Sequence, residues 1–204
     1  MTRDLVTVEK GDRIVRVRFD RGDPANSLSF ALMRELTAVA QDLADDPGLC
    51  AVVLTGRVDN FCLGMDLKDE EVAKSATAGL AERRVALKTG PRMCRAWEEL
   101  DPLTIVAIEG WCVGGGAALA VSCDLRIIGS GGHFYVPEVE RGFNMSWGSV
   151  PRITNLVGPA KAKRIVVLAE KIDAARAVDW GLVEEAVPDG TAMEAALKMA
   201  HRAA

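Results

Sequence analysis

An α/β layered domain with a helical C-terminal part is the fold class that the sequence predicts. Three observations carry it. Strand-like and helix-like segments alternate over the first 150 residues and give way to helical patterns afterwards. Two short, largely apolar runs, Ala51–Thr55 and Leu103–Ile108, suit strands covered on both faces. The second runs into three consecutive glycines, Gly114–Gly116, which open a helix-forming stretch.

Taken in order, the alternation in 14–19 (IVRVRF) predicts a half-exposed strand pairing with 5–8 across a turn at Gly11-Asp12. Ser29 is placed to cap a helix whose apolar spacing, Leu32, Met33, Leu36, Val39, Ala40, Leu43, ends near Pro47. Ala51–Thr55 follows as a buried strand. The stretch 56–70 reads as a loop, and 79–100 as a helical region kinked or interrupted by Pro91. Beyond strand 103–108 and the glycines, 124–128 and 133–136 read as strands. Helices are expected over 150–157, 160–169 and 173–180, then a short strand at 182–186 and a helix at 192–201.

The 204 residues fit one domain, with 49% hydrophobic and 26% charged residues. A net charge of −4 shows no basic excess, which argues against a nucleic-acid partner. No apolar run approaches the roughly 20 residues of a membrane span, and the N-terminal stretch has no apolar leader core, so a cytoplasmic protein is expected. Five scattered cysteines without a CxxC pair read as reduced, mostly buried thiols. The two histidines, His133 and His201, sit in no nucleophile or metal motif, and no metal site is expected. Trp97, Trp111 and Trp180 read as core or subunit contacts.

A glycine run where a strand becomes a helix exposes unpaired N–H groups at the positive end of the helix dipole. Such a junction suits a phosphate cradle, an oxyanion hole, or merely close helix–strand packing. Neither G-x-G-x-x-G nor G-x-x-x-x-G-K-[ST] occurs, which weakens the phosphate reading. A second strand-exit loop, Phe61–Asp69 (FCLGMDLKD), also carries a glycine, so two loops are available to donate to one oxygen.

With five motifs in order, the chain resembles the crotonase superfamily (enoyl-CoA hydratase/isomerase) over nearly its whole length. They are PANSLSFALMRELTAVAQDLADDPGLCAVVLTG, FCLGMDLKD, IVAIEGWCVGGGAALAVSCDLRI, FYVPEVERGF and AARAVDWGLVEEAVPDG. The resemblance implies a spiral of stacked ββα turns over 1–150, with the acyl-CoA site. It also implies a helical region over 151–204, shorter than relatives usually carry, and a homotrimer or hexamer. The substrate would be an acyl-CoA thioester, coenzyme A entering as part of the substrate and no separate cofactor being needed.

Matched position by position, the backbone N–H groups of Met65 and Gly115 would hold the thioester oxygen as an enolate forms. Leu63, Asp66 and Leu67 would line the coenzyme A channel, Pro24 and Ala25 the adenine-side loop, and Lys68 the coenzyme A end or simply solvent. Gly114 and Pro137 flank the reacting groups. Relatives that hydrate use two glutamates; here Ala118 stands at the first position and Glu138 at the second. One carboxylate fits proton transfer between carbons, so the resemblance favours an isomerase with Glu138 as the acid–base group. A hydratase, a hydrolase, or a catalytically weak CoA-ester binding protein are the alternatives. Glu140, two residues on, should point away if the segment is extended. Trp147 and Met145 would add bulk beside the acyl group. Ser146, where dehalogenating members carry aspartate, would cap the following helix or bond a polar acyl chain.

Overall fold

The computed structural model describes residues 5–204, so Met1–Asp4 of the N-terminal reading lie outside the described residues. A six-stranded sheet forms the centre. Its strands are β1 (Val6–Lys10), β2 (Ile14–Phe19), β3 (Ala51–Thr55), β4 (Leu103–Ile108), β6 (Leu125–Gly129) and β9 (Glu185–Val187), in the order β1-β2-β3-β4-β6-β9. Only the β1–β2 hairpin is antiparallel; the other neighbours are parallel. A second sheet holds β5 (Trp111–Val113), β7 (His133–Tyr135) and β8 (Ile172–Asp173). Isolated bridges Leu28↔Met65 and Cys62↔Cys112 extend it with the ends of earlier turns. Each turn thus leaves the large sheet, crosses to a second layer and returns through helix.

Burial explains the apolar runs. Val52, Leu54, Val106 and Ile108 face the larger core, with helices α1 (Phe30–Ala44), α4 (Thr89–Glu98) and α5 (Gly115–Ala120). Their alternates Ala51, Val53, Ile105 and Ala107 face a smaller core. There α9 (Ala192–Ala200) sets Ala192, Ala196 and Ala200, all fully buried, one turn apart against the sheet. Small side chains at that spacing let helix and sheet approach closely. Residues 151–204 therefore supply an edge strand and one cover of the sheet as well as helices: α6 (Ser149–Val157), α7 (Pro159–Val166) and α8 (Ala174–Asp179).

Several expectations need correction. Glu70–Thr77 is a helix (α2), not loop; it has no buried residue, so no apolar stripe advertised it. The 79–100 region is two helices, α3 (Leu80–Leu87) and α4, broken at Lys88. Pro91 kinks nothing: it occupies the first turn of α4, where a missing N–H has no intrahelical partner to lose. The expected strand at 182–186 begins later, at Glu185, because the Leu182 and Val183 N–H groups close the end of α8 on the Ala177 carbonyl. Ser29 does cap α1, its side chain accepting the Leu32 N–H at 3.1 Å. All five cysteines are free, and all but Cys50 are buried. No helix among the described residues is long and apolar enough to cross a membrane.

Candidate active site

Both strand-exit loops open on one cavity of about 700 Å³. In the first loop, Leu28 donates to the Gly64 carbonyl at 2.7 Å and accepts from the Asp66 N–H at 3.0 Å. Both ladder bonds belong to the residues flanking Met65, so its own N–H faces away from Leu28 and stays outside the ladder. The Gly64 carbonyl also lies 3.7 Å from the buried Cys62 sulfur. Engaging a peptide's carbonyl from behind polarises its N–H and fixes its direction.

The second loop repeats this arrangement. Gly115 is the first residue of α5, where an N–H has no intrahelical acceptor. The Gly114 carbonyl, on the same peptide, accepts from Ala118 at 2.9 Å, while the Gly114 N–H is held by Tyr135 at 2.8 Å. Gly114 has φ +50°, a conformation that L side chains rarely adopt. The two loops meet: a Cβ added to Gly64 would lie 3.6 Å from the Gly115 nitrogen. The glycine run thus serves close approach of backbone to backbone at the cavity, an arrangement able to hold an anionic oxygen.

Glu138 begins a short 3-10 helix (Glu138–Arg141) rather than ending a strand. Its Oε1 lies 2.6 Å from where a Cβ on Gly114 would be, and its buried Oε2 has no hydrogen-bond partner. Burial holds this carboxyl above the usual carboxylate range, against smaller lowering effects from its own backbone N–H and Arg141. Glu140 also departs from the extended reading, since the segment is helical; it accepts from the Tyr135 hydroxyl instead. Ala118 lines the cavity and supplies no polar group.

Trp147 has φ +57°, and its indole is wedged between two glycines. A Cβ on Gly90 would come within 2.1 Å of the ring, and one on Gly115 within 2.7 Å. The missing side chain at Gly90 is what admits this ring. Ser146 lines the cavity but caps nothing with its side chain. Gly148 occupies the cap position of α6, and the Ser146 carbonyl accepts from the Ser149 N–H and hydroxyl.

Ala25, Leu63, Leu67, Lys68 and Pro137 also line the cavity. Pro24 does not; it is exposed and its carbonyl accepts from Asn60 at 3.1 Å. Asp66 borders the cavity with its carboxylate already engaged by Arg21 at 2.7 Å, which holds it below the usual carboxylate range. Sequence reasoning missed Arg21, which also bonds the Ser27 carbonyl. It missed Asp69, which caps α2 through Glu71 N–H and accepts from Phe30 N–H at the start of α1. His133 stacks on Trp111 at 4.6 Å between centroids, away from the cavity lining, and Trp97 is fully buried.

The family model described as enoyl-CoA hydratase/isomerase matches residues 9–204. The chain belongs to the enoyl-CoA hydratase/isomerase family. It is 30% identical over 203 residues to the short-chain-enoyl-CoA hydratase of Clostridium acetobutylicum, covering 99% of this chain and 76% of that protein. To the crotonyl-CoA hydratase of Syntrophomonas wolfei it is 29% identical, with the same coverage of 99% and 76%. The solved enoyl-CoA hydratase of Bacillus anthracis superposes with a TM-score of 0.89 at 29% identity, over 98% of this chain and 76% of that one. The spiral of ββα turns is therefore the crotonase fold, shared with solved members of the enoyl-CoA hydratase/isomerase family.

Proposed function

We propose that the protein moves the double bond of an enoyl-CoA thioester, with Glu138 as its single proton carrier. One observation carries this reading: Glu138 is the carboxylate beside the glycine junction, and Ala118, which lines the same cavity from α5, brings no second one. The Glu138 carboxylate takes a proton from C2 of a 3-enoyl thioester. The electron pair moves into the conjugated system, and the negative charge collects on the thioester oxygen between the Met65 and Gly115 N–H groups. Protonated Glu138 then delivers the proton to C4, leaving the 2-enoyl ester. Losing one oxyanion donor typically lowers such rates about 10²–10³-fold.

Pro137 and Gly114 set the depth of the carboxyl, and Trp147 closes the acyl end. Leu63, Leu67 and Lys68 flank the coenzyme A portion, which needs no further cofactor. Similarity to hydratases favours a second reading, hydration of the 2-enoyl ester, in which Glu138 would position water alone. Incubation with 3-enoyl-CoA in heavy water separates the two. Isomerisation predicts the 2-enoyl product with no hydroxyacyl ester; accumulation of 3-hydroxyacyl-CoA at a comparable rate overturns it. Glu138→Gln is expected to lower turnover at least about 10³-fold while acyl-CoA binding survives.

A further inference from the structure

In a 3-10 helix, side chains three residues apart eclipse one another. Arg141 therefore stands on the same side of its turn as Glu138, and both line the cavity. The two form no ion pair, and Arg141 has no carboxylate partner within 4 Å among the described residues. The other cavity arginine, Arg21, differs in being taken by Asp66. From Arg141 the chain continues along the cavity wall through Asn144 and Ser146 to Trp147. Neither the Asn144 amide nor the Ser146 hydroxyl has a hydrogen-bond partner among the described residues. One loop thus presents a cation, an amide and a hydroxyl beside the proton-carrying carboxylate. All three are exposed at the cavity's edge, and a purely hydrocarbon acyl chain would use none of them.

We propose that this loop recognises an anionic acyl group, a short dicarboxylic acyl-CoA whose distal carboxylate is held by Arg141 with Asn144 and Ser146. A planar guanidinium matches a carboxylate with two parallel N–H donors. The location selects the acyl end rather than the coenzyme A phosphates. Arg141 shares a turn with Glu138, whereas Lys68 and Arg21 stand on the opposite loops around Asp66. The inference rests on the acyl-CoA reading of this site, but not on which reaction follows.

Calorimetric titration of the full chain with glutaryl-CoA, valeryl-CoA and free coenzyme A tests it. The two esters share a five-carbon acyl chain and differ by the carboxylate. Glutaryl-CoA is expected to bind about tenfold or more tightly than valeryl-CoA, as one charge-assisted contact supplies. In Arg141→Met that preference is expected to fall to near unity, with free coenzyme A affinity unchanged. Arg141→Lys should keep part of it, which separates charge recognition from a folding defect.

Equal binding of the two esters, or a preference that survives Arg141→Met, overturns the proposal. An equal loss for free coenzyme A also overturns it, reassigning Arg141 to the phosphates. Failure of all three ligands to bind removes the acyl-CoA reading and this inference together. A charge preference in a protein with no isomerase activity would remove only the double-bond reading.

Discussion

Glu138 carries a carboxyl whose burial favours the neutral form, so folding and the proposed proton transfer make opposite demands on it. Its folded pKa lies above the unfolded one. The stability linked to that shift is fully present below the ordinary carboxylate range and is lost as pH rises through the raised folded value. Glu138→Gln is therefore expected to melt at or above the wild type at alkaline pH, the gap closing on acidification; melting curves across pH would show it. As the base must be ionised, kcat/KM for isomerisation should rise with pH through the same raised value, and an acid limb at an ordinary carboxylate pKa would count against the role. Gly114 poses a different problem, with φ +50° and no room beside Glu138. Gly114→Ala should cost about 1–3 kcal/mol for a positive-φ backbone that L side chains rarely adopt and, by displacing the carboxyl, about 10²-fold in turnover. Gly158 has φ +79° and open space around it. Gly158→Ala should show a comparable loss of stability with turnover retained, so assays of the pair separate backbone strain from displacement of the base.

At the level of elements, Asp69 is a small residue with a large span of influence. One oxygen receives the Glu71 N–H of α2 and the other the Phe30 N–H of α1, at 2.8 Å each. Removing both bonds with Asp69→Ala should cost about 1–2 kcal/mol in urea unfolding; a loss under 0.3 kcal/mol would show that neither cap matters. The sequence disclosed this unevenly. Six of its seven buried positions, at helical spacing, made α1 legible, as did its capping serine. The α2 helix has no apolar face to betray it, and 70–77 was read as part of a loop and a gap. β8, two residues long, was folded into the expected start of α8 because Asp173 caps that helix. Glu138, Gly114 and Gly115 were legible through motif resemblance. Arg21 was not, because its place in the cavity depends on a 45-residue separation from Asp66 that no local pattern records.

For the molecule as a whole, the decisive fact is a sheet buried on both faces by material from opposite ends of the chain. Continuous apolar runs in β3 and β4 forecast that double cover, but not which segment supplies the second cover. α9 does so with alanines, whose small size leaves no conspicuous apolar stripe. Ala196→Asp would put a carboxylate between helix and sheet and is expected to cost about 3 kcal/mol or more, whereas exposed Lys198→Gln should stay within about 0.5 kcal/mol. Equal denaturation midpoints for the two variants would mean that α9 contributes little to the cooperative unit.

The proposed oxyanion donors, the Met65 and Gly115 N–H groups, belong to peptide units, each anchored through its own carbonyl. Only proline at Met65 or Gly115 would delete such an N–H, whereas a catalytic serine or lysine is lost with almost any substitution. Substitution can therefore rewrite the surrounding side chains, and with them the reaction, while these backbone donors stay in place. Drift at Ala118, Arg141 or Ser146 would then be where one lineage acquires a new chemistry and another loses its old one.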